Sequence, residues 1–153
     1  MTARYLQGAA AGLLAMLVSA GALAADSVSA EKAVDYRASY MTVLKWNSGP
    51  MGQMLKGKVA FDDETFLRHA RDLSTAARLD LLQAFPEGSI TDDSDAREEI
   101  WFDWEDFEQK FADFRAAAAG LGEAADAGDV NATKAAFGEL GKTCKACHKA
   151  YKE

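Results

Sequence analysis

Cys144 and Cys147 stand three residues apart and His148 follows at once, in the run Cys144-Lys145-Ala146-Cys147-His148. They are the only two cysteines, and His69 is the only other histidine. Two thiols and an imidazole at this spacing form the attachment signature for haem c. Each thiol adds to a vinyl group of the porphyrin, and the adjacent imidazole is positioned to ligate the iron from one side. Other readings compete. A zinc site wants four ligands, and no third cysteine exists. A thioredoxin-type redox pair would sit beside a strand in a βαβ pattern, and no such strand is visible. A plain disulfide between Cys144 and Cys147 leaves His148 without a role. Haem c is therefore the expected cofactor and His148 the expected metal ligand.

These three residues need an element to present them together. At about 100° per residue, Val130, Phe137, Leu140, Cys144, Cys147, His148 and Tyr151 share one face of a helix predicted from Asp129 to Tyr151. Three further helical patterns precede it. The first runs from Ser29 to Lys56, with a kink or short interruption expected at Asn47-Ser48-Gly49-Pro50, because Pro50 lacks the N–H that would bond back to Trp46. The second runs from Asp63 to Phe85, with Phe66, Ala70, Leu73, Ala77, Leu81 and Ala84 on one narrow arc. The acidic stretch from Pro86 to Arg97 reads as a solvated loop. The third helix starts near Asp95, whose carboxylate would cap it with Glu98 three residues on, and continues to Ala127. Trp104, Phe107, Phe111, Phe114, Ala118 and Leu121 form its stripe. Gly128 and Asp129 pair a helix-ending glycine with a helix-starting acid. Four amphipathic helices with mostly short connections cannot bury their stripes alone. The predicted fold is an all-α, antiparallel four-helix bundle.

Composition agrees. The chain has 153 residues, 49% hydrophobic and 27% charged, enough for one domain. Its net charge of −7 gives no general attraction to phosphate backbones, so nucleic acid is not expected as a partner. Arg4 precedes an apolar run, Ala9 to Val18 and on toward Leu23, and Ala22-Leu23-Ala24 offers a small-x-small cleavage site. The run is shorter than the roughly 20 residues of a membrane span. Residues 1–24 are expected to be a cleaved export signal and residues 25–153 the mature domain, with a periplasmic location and no membrane span.

In the first helix Ala33, Val34, Tyr40, Met41 and Leu44 form an apolar arc, and Arg37 sits in the middle of it. A guanidinium among core positions needs a partner, since burying it unpaired is very costly. A haem propionate would supply one; the alternatives are that Arg37 snorkels to solvent or pairs with an acid such as Asp95. His69 lies at the margin of its helix stripe and reads as a surface or boundary residue. Phe102 and the neighbouring aromatics read mainly as core, and Met51 and Met54 as core filling.

The chain resembles cytochrome c′, an exported four-helix haem protein. The resemblance is carried by Ala33-Val34-Asp35-Tyr36-Arg37, by Asp95-Ala96-Arg97-Glu98-Glu99-Ile100-Trp101, by Ala124-Ala125-Asp126-Ala127-Gly128-Asp129 and by the stretch from Cys144 to Lys152. It implies a haem c held by Cys144 and Cys147, with His148 as proximal ligand and an apolar distal side formed by the first helix. It also implies that Arg37 meets a propionate, that Met41 covers the open face of the iron, and that Asp95 and Trp101 border the haem. The expected function is binding of NO or CO at a five-coordinate iron, with exchange of one electron and no catalytic residue. The alternative is a low-spin electron carrier with Met41 as sixth ligand; a third reading is a haem-free helical interaction module with a disulfide. The family commonly pairs as homodimers through its first two helices, and the redox partner is not named by any residue. Three positions depart from the pattern: Ala38 where glutamine is frequent, Glu98 where proline is frequent, and Lys152 where arginine is common. Lysine keeps the charge but not the planar fork.

Overall fold

The computed structural model describes residues 28–153; the expected export signal, residues 1–24, lies outside the described residues. In chain order the elements are α1 (Ala30–Leu55), α2 (Asp63–Ala76), a 3-10 turn (Leu82–Ala84), a one-turn α3 (Glu99–Phe102), α4 (Trp104–Asp126) and α5 (Val130–Tyr151). The four long helices make the expected antiparallel bundle. Among the described residues there is no strand, only an isolated bridge between Ala96 and Lys152.

Local chemistry sets the helix ends. Ser29 Oγ accepts from Lys32 N at 3.4 Å, Asp62 Oδ1 from Thr65 N at 2.8 Å and Asp129 Oδ1 from Ala132 N at 2.9 Å, each satisfying one of the free N–H groups of a first turn. Gly128 takes φ 71° after α4, a conformation that costs glycine nothing. The predicted stripes are buried, with Phe66, Ala70, Leu73, Ala77, Leu81 and Ala84 on one side and Phe107, Phe111, Phe114, Ala118 and Leu121 on the other, except that Trp104 at the head of the second is only half-buried. Packing is closest between α4 and α5, then between α1 and α2 and between α2 and α4. The α2–α4 crossing is tight because Gly122 lacks a side chain; a Cβ there would overlap Ser74 Oγ and lie 2.8 Å from Ser74 Cβ. By contrast α1 leans on α2 and the 3-10 turn, with no comparable packing on α5.

Several expectations are corrected. α1 runs unbroken through Pro50. The one backbone bond that proline removes frees the carbonyl of Trp46, whose side chain is 74% exposed, on a face where water can serve it. The second helix ends at Ala76 rather than Phe85, because Asp80 accepts from Leu82 N at 3.1 Å and from Gln83 Nε2 at 2.9 Å. That local bonding competes with helix propagation. The third helix does not start at Asp95 with a capping box; it starts at Glu99, breaks at Asp103 and resumes at Trp104. Asp95 is spent elsewhere: its carbonyl accepts from Glu153 N at 2.9 Å and its carboxylate from Lys152 Nζ at 2.7 Å. The break also turns Phe102 outward, to 82% exposure. His69 is buried, not a boundary residue, because its Nδ1 lies 3.0 Å from Asn47 Oδ1 on α1.

Candidate haem-binding cavity

A cavity of about 490 Å³ separates α1 from α4 and α5, a size typical of small-molecule sites. Its α5 wall carries Cys144, Cys147, His148 and Tyr151. α1 faces them with Val34, Arg37, Tyr40, Met41 and Leu44, and α4 adds Phe107, Phe111 and Phe114. Leu81, Phe85 and Ile100 come from the connecting segments. The helical register that put the motif on the same face as Leu140 and Tyr151 therefore turns it into this cavity.

Both thiols are free and half-buried. Burial pushes both up from the ordinary thiol range, so they stand as neutral thiols at neutral pH. His148 lies at the exposed rim. Partial desolvation, with the Lys152 ammonium nearby, holds its imidazole below the usual range. The ring is thus neutral, the form that coordinates a metal. Among the described residues no group of three or more His, Cys, Asp or Glu side chains gathers as a metal cage.

Arg37 is buried, and all four of its Nη hydrogens are used. Nη1 donates to Ala84 O at 2.9 Å and Ser89 Oγ at 2.8 Å, and Nη2 to Ser89 O at 2.6 Å and Ser94 Oγ at 3.2 Å. Its Cζ stacks 4.7 Å over the Phe85 ring. Every one of these acceptors is neutral, and burial lowers the Arg37 pKa. The side chain neither snorkels nor pairs with Asp95; it staples the loop after α2 to α1 and leaves Nε–H as its remaining donor.

The other candidate residues divide. Met41 lines the cavity opposite the motif, 38% exposed. Asp95 lies at the cavity rim in its ion pair with Lys152. Trp101 is not on the lining. Its Nε1 donates to Phe85 O at 3.0 Å, and the neighbouring Ile100, 1% exposed, takes the place beside the cavity. Residues the sequence did not single out are Phe85, Ser89 and Ser94, which hold Arg37. No signal distinguishes those two serines from other loop serines. Tyr151, expected only as a face residue, is tied by its hydroxyl to Asp106 Oδ2 at 2.5 Å, which steadies the turn that carries His148.

The cavity fits a porphyrin on its own terms. It is lined largely by aromatic and aliphatic side chains, it carries two thiols and a neutral imidazole on one wall, and Arg37, Lys45, Asp93, Asp95, Lys110 and Lys152 supply the charged part of its lining. The Tyr40 hydroxyl is buried in the opposite wall without a hydrogen-bond partner. Such a group is costly to leave unmet, in keeping with a wall that a bound group completes. A wider and more open hollow on the outer side of α1 and α2, bordered by Trp46, Arg68 and His69, offers no thiol.

Comparison with known proteins agrees with this site. The family model described as cytochrome c′ matches residues 32–152. Cytochrome c′ of Cereibacter sphaeroides is 35% identical over 116 residues, 74% of this chain and 78% of that protein. Cytochrome c-554 of the same organism is 34% identical over 112 residues, 71% of this chain and 73% of that protein. Among solved structures, cytochrome c prime from Shewanella frigidimarina superposes with a TM-score of 0.75 at 37% identity, covering 81% of this chain and 96% of that one. A nitric oxide complex of a point mutant of cytochrome c prime from Alcaligenes xylosoxidans gives 0.72 at 38% identity, covering 82% and 98%. With family match, fold and cavity in agreement, the chain belongs to the cytochrome c′ family, four-helix proteins that bind haem c with its iron.

Proposed function

We propose that this protein is a periplasmic haem c protein that binds NO or CO at a five-coordinate iron and exchanges one electron, with residues 1–24 removed on export. Haem iron, when bound, supplies a coordination position for a neutral diatomic molecule and a one-electron couple. Cys144 and Cys147 would hold the porphyrin covalently and His148 would ligate its iron. Arg37 would meet a propionate through Nε–H or by releasing Ser94 Oγ, the longest of its four bonds. One observation carries the reading: the cavity wall facing His148 presents Val34, Leu44 and Met41 and no histidine. Those three apolar side chains favour a small neutral gas over a charged ligand, which would lose its hydration against them. The nitric oxide complex of a relative adds support. The exposed Val43 and Trp46 on α1 favour self-association of two copies along that helix. No described helix is long and apolar enough to cross a membrane.

A second reading rests on Met41, whose thioether is the one soft donor on the α1 wall. If its sulfur binds iron, the protein is a low-spin electron carrier. Absorption and EPR spectra of ferric and ferrous protein, with and without NO, and of the Met41→Leu variant decide between them. The proposal expects high-spin ferrous iron that takes up NO in the wild type and no change of spin state in the variant. Low-spin wild-type iron that becomes high-spin in Met41→Leu would overturn it in favour of the carrier.

A further inference from the structure

The charge of this chain is unevenly placed. Residues 140–152 carry four lysines and no acid, so +4 here stands against −11 over the rest of a chain of net −7. Lys142, Lys145 and Lys149 lie on α5 within an arc of about 60°, and His148 lies about 60° beyond Lys145. All three ammonium groups are exposed, as is Lys152 at the helix end. Lys142 pairs with Glu139 at 2.7 Å, an exposed contact that offsets much of its charge. Lys152 is neutralised by Asp95. Lys145 and Lys149 have no ion-pair partner among the described residues.

We infer that the Lys142–Lys145–Lys149 stripe is the docking surface for a one-electron redox protein with an acidic face, which exchanges its electron at the His148 edge. This rests on the reading that haem c is attached at Cys144 and Cys147. The α5 motif brings the iron's ligand to the exposed rim of the cavity, so the electron's shortest exit is beside this stripe. An acidic partner is repelled by the remainder of the molecule and attracted here, so charge both speeds the encounter and orients it. In the step itself one electron passes from the reduced partner to ferric iron, which becomes ferrous, and no bond forms or breaks.

The test uses the haem-loaded protein and two probes of opposite charge. Flavodoxin hydroquinone is an acidic donor that passes to its semiquinone as it reduces the ferric protein. Tris(phenanthroline)cobalt(III) is a cation that passes to cobalt(II) as it oxidises the ferrous protein. Lys145→Glu/Lys149→Glu is compared by stopped flow with Lys56→Glu/Lys58→Glu, which makes the same change in net charge at the turn after α1. That turn lies at the other end of the bundle, beside Phe61, whose ring carries Lys134 of the first turns of α5 at 3.8 Å. At low salt the stripe variant is expected to lose about tenfold in the flavodoxin rate and to gain in the cobalt rate, with the flavodoxin difference collapsing at high salt. The control variant is expected to change either rate by less than about threefold. Equal effects in the two variants, no effect in either, or a stripe variant slowed with both probes would overturn the docking surface. A wild-type protein without haem absorption would instead overturn the reading beneath it, and the two failures are distinct.

Discussion

Arg37 is the most informative residue to remove. Arg37→Leu strands the carbonyls of Ala84 and Ser89, which accept from it at 2.9 and 2.6 Å, while the Ser89 and Ser94 hydroxyls can turn to other partners. Each buried carbonyl left unmet costs about 1–3 kcal/mol, and the lost stack on Phe85 adds about 0.5–2 kcal/mol. Relief from keeping a guanidinium out of water offsets part of this, so the net loss is about 2–4 kcal/mol. In a domain of this size that lowers Tm by on the order of 10 °C, read by calorimetry or by ellipticity of the haem-loaded protein. Arg37→Lys keeps the charge but offers three donors from one point instead of a planar fork, and is expected to recover about half. A fall below about 2 °C in the leucine variant, or full stability in the lysine variant, would refute the view that this side chain staples the loop to α1.

Two further outcomes follow from the packing. Gly122→Ala forces a methyl group into Ser74 and is expected to cost about 1–3 kcal/mol in urea unfolding. Adding Ser74→Ala is expected to recover only part, since the Cβ 2.8 Å away remains. His69 sits mostly desolvated and beside Arg68, which lowers its pKa from 6.5. As pH falls through that value the unfolded chain takes up a proton that the folded ring resists, so stability present above it is lost toward the lower folded pKa. Urea midpoints at pH 7.5 and 5.5 are expected to differ less in His69→Gln than in wild type; an unchanged difference counts against this assignment.

The sequence was most legible where a pattern is local. The α4 stripe from Phe107 to Leu121 and the face shared by Cys144, Cys147 and Tyr151 depend only on helical period, and both hold in the structure. Arg37 was legible as an oddity among apolar neighbours. Its partners were not, because Ser89 and Ser94 lie in an acidic stretch whose composition reads as solvent-exposed, more than fifty residues away in sequence. Asp95 failed as a cap for a similar reason. Its neighbours in sequence suit a capping box, but Lys152 and Glu153, brought back by the whole length of α4 and α5, claim its carboxylate and its carbonyl. His69 was misplaced because the oxygen that compensates its burial belongs to Asn47 on another helix. Phe102 was misplaced because one residue, Asp103, with φ −128° and ψ 44°, resets the phase between two helices that read as one.

The loose seam between α1 and α5 bears on how the molecule matures. A wall that rests on its neighbours along only one edge needs a keystone, and here the prosthetic group is the natural one. Acquiring the cofactor and completing the domain then become a single event. A chain that misses it should survive as a half-assembled trimer of helices with the first rod ajar, the kind of species that cellular proteases find first.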